Sequence, residues 1–324
     1  MHWTVTAKLW KLWSLDKGSE LRVFAFLLLL GSIGFSVNHI DPGLDALFVA
    51  FILGISAGSF LGKEVKESVN KLLRTLLPTS IALYGFNIYV PITSMELEKV
   101  AFTLLLASTI FASVFVISRK SGNSKELSIL LSCGSGICGL SAIAIVSPIV
   151  KPKKEEFSTA IIAITVVGLL CTILYPPLAK NLFPNKFYLL AGSTLPQTGL
   201  VKIATSVFGA EEVVKALSVK AIRIAMIAIV AFILSFLYSE KRFYVPWFIV
   251  AFVTTAFLSS YLGESASILK DASTILFAST LAGIGITVEL RDIYLSGFKP
   301  VFATFCGMLI SLTIFLLIFR GGVI

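Results

Sequence analysis

"LLSCGSGICGLSAIAIVSP", residues 130–148, decides how this chain folds. Its flanks are as apolar as a membrane span, yet its middle, residues 134–139, is a run of glycine and small polar residues. In hydrocarbon, a break in the helical backbone is tolerated only where protein or a watery cavity covers it, because no lipid group pairs with the freed amides and carbonyls. The stretch therefore predicts a non-helical tip at mid-membrane, lining something.

The rest of the chain supplies the membrane. It has 324 residues, 56% hydrophobic and 14% charged, with mean hydropathy +0.93. A soluble helical protein needs polar faces on most helices, and stretches such as 22–37 and 216–238 have almost none. The fold class is an all-α polytopic membrane protein. Residues 1–21 carry Lys8, Lys11 and Lys17 among Trp3, Trp10 and Trp13, without a small-residue cleavage site, and read as a cytoplasmic interfacial helix. Residues 22–324 then form one transmembrane domain. Cys133, Cys138, Cys171 and Cys306 make no CxxC pair, and His2 and His39 are the only histidines, so neither disulfide, metal nor cofactor is expected. The net charge of +9 is assigned to cytoplasmic loops rather than to nucleic-acid binding.

Eleven apolar segments can be marked, at 22–38, 44–61, 73–91, 99–118, 126–149, 156–179, 187–209, 216–239, 245–262, 268–289 and 299–319. The positive-inside rule puts "NHIDPG" (38–43) outside, and "GKEVKESVNKLLR" (62–74) and "SRKSGNSK" (118–125) inside. The alternation fails at "KPKKEE" (151–156), which would lie outside if the fifth segment spanned fully. A re-entrant hairpin repairs it: each arm has about ten residues, ~15 Å of helix, half the hydrocarbon thickness. The seventh segment repeats the device. "GSTLPQTGLVKIA" (192–204) matches "GSGICGLSAIA" (134–144), and Pro196 removes an amide proton and disfavours helix just before it. The expectation is about nine spanning helices plus two re-entrant or broken segments, with eleven full spans as the alternative.

A second internal match is ungapped at an offset of 200 residues. "IALYGFNIYVPITSMELEKVAF" (81–102) aligns with "LAGIGITVELRDIYLSGFKPVF" (281–302), with identities at Ala82/Ala282, Gly85/Gly285, Lys99/Lys299 and Phe102/Phe302, and further on at Ile110/Ile310 and Phe115/Phe315. With both hairpins re-entrant, each matched pair is oppositely oriented, as in the inverted repeats of secondary transporters.

The stretch "SCGSGICGLSAIAIVSPIVKPKKEE" (132–156) resembles the signature of the YeiH-like bacterial membrane proteins, often labelled sulfate exporters. The resemblance continues through "LLAGSTLPQ" (189–197), "KAIR" (220–223) and "AGIGITVELRDIYLSGFKPV" (282–301) and covers nearly the whole chain. It implies membership of the cation/proton antiporter and anion transporter superfamily, with an inverted-repeat fold, discontinuous helices at the substrate site and elevator-type motion. The family's second break carries His, then Asp or Glu, with Gln three residues later; here those positions are Pro196, Gln197 and Leu200. The titratable pair is missing here, which sets this chain apart from any family mechanism that runs a proton through it.

The two half-helices after the breaks begin near Gly139 and Gly199, and helix N-termini suit an anion. Lys202, Lys220 and Arg223 lie within apolar segments, while the acids Glu64, Glu67, Glu96, Glu98, Glu155, Glu156, Glu264, Asp271, Glu289 and Asp292 gather at ends and loops. The candidate substrate-binding residues are Ser132, Gly134, Ser135, Gly136, Ile137, Cys138, Gly139 and Ser141 at the first break, Ser193, Thr194, Gln197, Thr198, Gly199 and Lys202 at the second, and Lys220 and Arg223 on the eighth segment. Other readings of the same residues stay open: small residues for helix packing, a snorkelling Lys202, and an Arg223 that anchors backbone carbonyls.

The functional expectation is a secondary transporter of a small anion, of the sulfate or organosulfonate class, in the cell (inner) membrane with a cytoplasmic N-terminus. A passive anion channel is the alternative. An intramembrane enzyme fits less well, since there is no metal spacing, no GxSxG and no deep carboxylate pair. The partners are the small anion and the lipid bilayer; a coupling proton or sodium ion and a homo-oligomer are left open. The topology is testable: cysteine placed at Lys153 or at Lys66 should be labelled by an impermeant maleimide from the cytoplasmic side alone, and labelling of Lys153→Cys from outside would remove the first hairpin.

Overall fold

A computed structural model describes residues 17–41, 44–87, 97–238, 246–288 and 297–321, and all regular structure among them is helical. The helices are α1 (Lys17–Ile40), α2 (Ala46–Gly58), α3 (Lys63–Tyr84), α4 (Leu97–Lys120), α5 (Lys125–Cys133), α6 (Leu140–Val150), α7 (Lys154–Leu182), α8 (Phe187–Thr194), α9 (Thr198–Ser206), α10 (Ala210–Leu237), α11 (Trp247–Leu262), α12 (Ser267–Thr287) and α13 (Lys299–Arg320). Six of them, α1, α4, α7, α10, α12 and α13, are long and apolar enough to cross a membrane; α2, α6 and α11 are shorter apolar helices. The interfacial helix expected over 1–21 lies outside the described residues except for 17–21, which belong to α1.

The basic stretch 62–74, expected as a loop, is instead the first half of α3. Val65, Val69 and Leu76 recur at helical spacing and are buried, so the charges occupy the opposite face of an amphipathic helix. The fifth and seventh segments are broken where expected: Gly134–Cys138 forms one π turn, Gly139 follows at φ +68°, and α8 ends at Leu195–Gln197 before α9.

The helices sort into two layers. In the first, α12 packs against α1, α2 and α3, and α11 packs against α3. In the second, α4 pairs with α13 and α5, α7 with α5, α9 and α13, and α10 with α8 and α9. The main contacts between layers are α10 with α11, and α6 with α2 and α3. Close approach in the first layer comes from glycine: a Cβ at Gly54 would overlap the Ala282 carbonyl, one at Gly58 that of Ile286, and one at Gly285 that of Phe51. In lipid such small-residue contacts replace hydrophobic drive as the cause of helix association.

Specific contacts fix which ends lie together. Phe102 at the start of α4, Phe183 after α7 and Phe315 near the end of α13 form one ring cluster, with centroids 5.8 and 5.1 Å apart. The other termini of α4 and α7, Lys120 and Lys154, therefore share the opposite end of the bundle. The chain enters α5 just after Lys120 and leaves α6 just before Lys154, so this pair begins and ends at one end. Lys154 Nζ there donates to Asn70 of α3 at 2.8 Å. The α8–α9 pair does the same at the other end, where the rings of Phe187 and Phe208 meet at a tilt with centroids 4.8 Å apart. Gly54→Ala should part α2 from α12 and lower stability by about 1–3 kcal/mol, the usual cost of overpacking; thermal unfolding in detergent would read it, and an unchanged midpoint would mean that the helices slide without cost.

Candidate functional site

The two breaks meet. Gly139 faces Pro196 and Gln197 so closely that an added Cβ would stand 2.8 Å from Gln197 Cγ, and its positive φ also favours glycine. Gln197 Nε2 donates to Thr165 on α7 at 2.9 Å, tying the second break to the helix that follows the first.

Each break leaves carbonyls without helical partners, and α10 supplies the donors. Lys220 Nζ donates to the carbonyls of Ile137 at 2.9 Å, Leu195 at 2.7 Å and Pro196 at 2.7 Å. Arg223 donates through Nε to Gly136 at 2.9 Å, through Nη2 to Ser135 at 2.6 Å, and through Nη1 to Leu195 at 2.9 Å and Gly192 at 3.3 Å. Both side chains are fully buried. An ammonium has three protons and a guanidinium five, so Lys220 is saturated and Arg223 nearly so. Their charges fall on the C-terminal ends of the first halves, the negative ends of two helix dipoles. Both lie beneath the breaks rather than in an open pocket.

The following halves are capped differently. Neither Gly139 before α6 nor Gln197 before α9 makes a side-chain cap hydrogen bond; the Ala142 amide turns to Cys138, and the N-terminal ends of both helices, at Ser141 and at Thr198 and Gly199, border the space beyond. Beyond lies a cavity of about 340 Å³ between the two layers. The second layer contributes Cys138, Ser141, Ile145, Thr198, Gly199, Lys202, Ile224 and Ile227; the first contributes Phe35, Asn38, Asp45, Ala46, Leu47, Tyr84, Asn87, Phe252, Asp271 and Thr274.

Of the residues picked from sequence, Cys138, Ser141, Thr198, Gly199 and Lys202 line this cavity. The others support it from behind. Ser132 and Thr194 hydroxyls donate to the carbonyls of Ser128 and Leu190 in their own helices, both at 2.7 Å. Ser193 reaches Thr103 at 3.4 Å, Gly134 packs on Ile164, and Ser135, Gly136 and Ile137 offer their carbonyls to the two cations. The Ser135 hydroxyl is buried without a partner among the described residues.

The whole first-layer wall escaped the sequence reading. Asp45 sits just ahead of an apolar run, where a carboxylate caps a helix: its Oδ1 accepts from the amides of Leu47 at 2.9 Å and Phe48 at 3.1 Å. That position was the available signal. Asn87 is the lone polar side chain in "YGFNIY" and is held between Ser273, at 2.7 Å, and Thr274, at 3.1 Å. Among the described residues no cluster of His, Cys, Asp and Glu could hold a metal.

Removing either buried cation should cost stability before it costs anything else. Arg223→Met orphans four carbonyl contacts inside the bundle and should destabilise by about 3–5 kcal/mol, with Lys220→Met close behind; thermal unfolding in detergent checks this, and near-wild-type midpoints would mean that other groups satisfy the breaks.

Comparison with known proteins places the chain. It is 48% identical over 309 residues to a UPF0324 membrane protein of Archaeoglobus fulgidus, covering 94% of each chain. It is 30% identical over 287 residues to a UPF0324 membrane protein of Bartonella henselae, covering 82% of this chain and 81% of the relative. Similarity to the UPF0324 inner membrane protein YeiH of Escherichia coli is 26% over 302 residues, covering 86% of this chain and 84% of the relative. These names carry no enzymatic activity. No solved structure matches. A family model described as conserved hypothetical protein 698 matches residues 22–304, and the chain belongs to this UPF0324 family of membrane proteins.

Proposed function

We propose that this protein is a secondary transporter that moves a small anion across the inner membrane by displacement of one helix layer against the other. The observation that carries the reading is the electrostatic sorting at the two breaks. Lys220 and Arg223 cancel the carbonyl ends inside the protein, while the uncapped amide ends of α6 and α9, with Lys202 beside them, face the cavity. What the second-layer wall offers a solute is net positive. The cavity lies on the boundary between layers, where relative motion changes its access.

The reading includes an inverted repeat with nine spans and two re-entrant hairpins. Thr280 donates to Ser80, 200 residues away, at 3.1 Å, as a pair straddling a two-fold axis would. Gly85 packs on Phe252 and Thr255 of α11, while Gly285 packs on Phe51, Gly54 and Ile55 of α2, close to the same offset. The hairpins α5–α6 and α8–α9 enter from opposite ends, as do the helices α7 and α10 that follow them. The second repeat then presents its elements in cyclically shifted order, with its hairpin first.

Lys202→Met keeps the apolar stem and removes the ammonium. Binding of sulfate and short sulfonates to the purified protein, read as ligand-dependent thermal stabilisation, should weaken by about tenfold or more, the worth of one charge-assisted hydrogen bond. Wild-type affinity in the variant would exclude Lys202 from the site.

A further inference from the structure

The two walls of the cavity carry opposite charge. On the second-layer wall stand Lys202 and the amide ends of α6 and α9. On the first-layer wall stand Asp45 and Asn38, with Asp271 at the rim. Asp45 is rigid, because Oδ1 is committed to the amides of Leu47 and Phe48, and Oδ2 meets no donor among the described residues. Asn38 turns its amide nitrogen to the Leu44 carbonyl, which leaves its oxygen as a second acceptor next to Asp45. Lys202 and Asp45 line the same cavity, and no ion pair joins them among the described residues. Space for a solute separates a fixed anion from a cation.

A plain anion in that space gains from Lys202 and is repelled by Asp45. A divalent anion such as sulfate strengthens both terms alike and still leaves Asp45 without a partner. A molecule carrying both charges satisfies both walls. We infer that the solute is a small zwitterion, a sulfonic or carboxylic acid bearing an amino group, with its acid group on Lys202 and the ends of α6 and α9 and its ammonium on Asp45 and Asn38. This rests on the anion-site reading and narrows it.

Matched ligand pairs test it on the full-length purified protein: ethanesulfonate against 2-aminoethanesulfonate, propionate against 3-aminopropionate, and sulfate for comparison, by thermal stabilisation and equilibrium binding. In the wild type the amino member of at least one pair should bind about tenfold tighter than its plain partner, roughly one charge-assisted hydrogen bond. Asp45→Asn keeps the cap, since asparagine caps helices as well as aspartate, and should abolish that advantage while the plain acid binds as well as before or better. Equal binding of both members in the wild type would overturn the zwitterion and leave the anion site standing. An equal loss for both members in Asp45→Asn would make Asp45 structural and overturn it too. If no acid of either kind binds the wild type, the anion-site reading fails with it. The wild-type ligand comparison needs no variant, so poor folding of Asp45→Asn cannot shelter the inference.

Discussion

Everything in this protein depends on how it satisfies backbone carbonyls at two broken helices deep inside an apolar bundle. Lipid offers no donor there, so the breaks stand only if the chain supplies its own. Lys220 and Arg223, one turn apart on α10, do this for both breaks at once. Because the same two side chains hold Ser135 to Ile137 and Gly192 to Pro196, the two hairpin tips cannot move independently. They are one rigid unit, pinned to α10.

That unit explains the layering. The tips, α7, α10 and the α4–α13 pair form a body bound by charged and ring contacts, whereas the other body is zipped by glycines that bring α2 against α12. Across the boundary between them Lys154 reaches Asn70 and the ring of Phe157 meets that of Phe51, and the cavity opens on the same boundary. Polar groups line both of its walls, since a boundary wide enough for solute and water spares them the full cost of burial.

The breaks were legible in the sequence because breakers and small residues fall together there, Gly134, Gly136 and Gly139 at one and Pro196 and Gly199 at the other, whereas the isolated Pro78 and Pro148 stay within helices. The loop charges were legible for a similar reason, as lysines at 151–154 report on the aqueous phase next to them. Partners were not legible. Lys220 and Arg223 could be seen as buried cations without acids, but the carbonyls they satisfy lie up to 88 residues away, and every residue has a carbonyl. The deficit of acids therefore suggested an anionic ligand where the protein had used its own dipoles. Asp45 was missed for the opposite reason: at the edge of an apolar segment it reads as a loop residue, and only the packing of α2 against the hairpin layer turns that edge into a cavity wall.

A site built on two bodies has a consequence that a site within one body lacks. If the solute is the zwitterion inferred above and the layers move against each other, its acid group travels with α6, α9 and Lys202, while Asp45 and Asn38 belong to the other layer. Displacing one layer then separates the two half-sites. The solute keeps its anion contacts and loses its ammonium contacts, so affinity falls as the cavity changes its access. An affinity that differs between two conformations is what biases their populations, since a ligand shifts an equilibrium only by its differential interaction with the states.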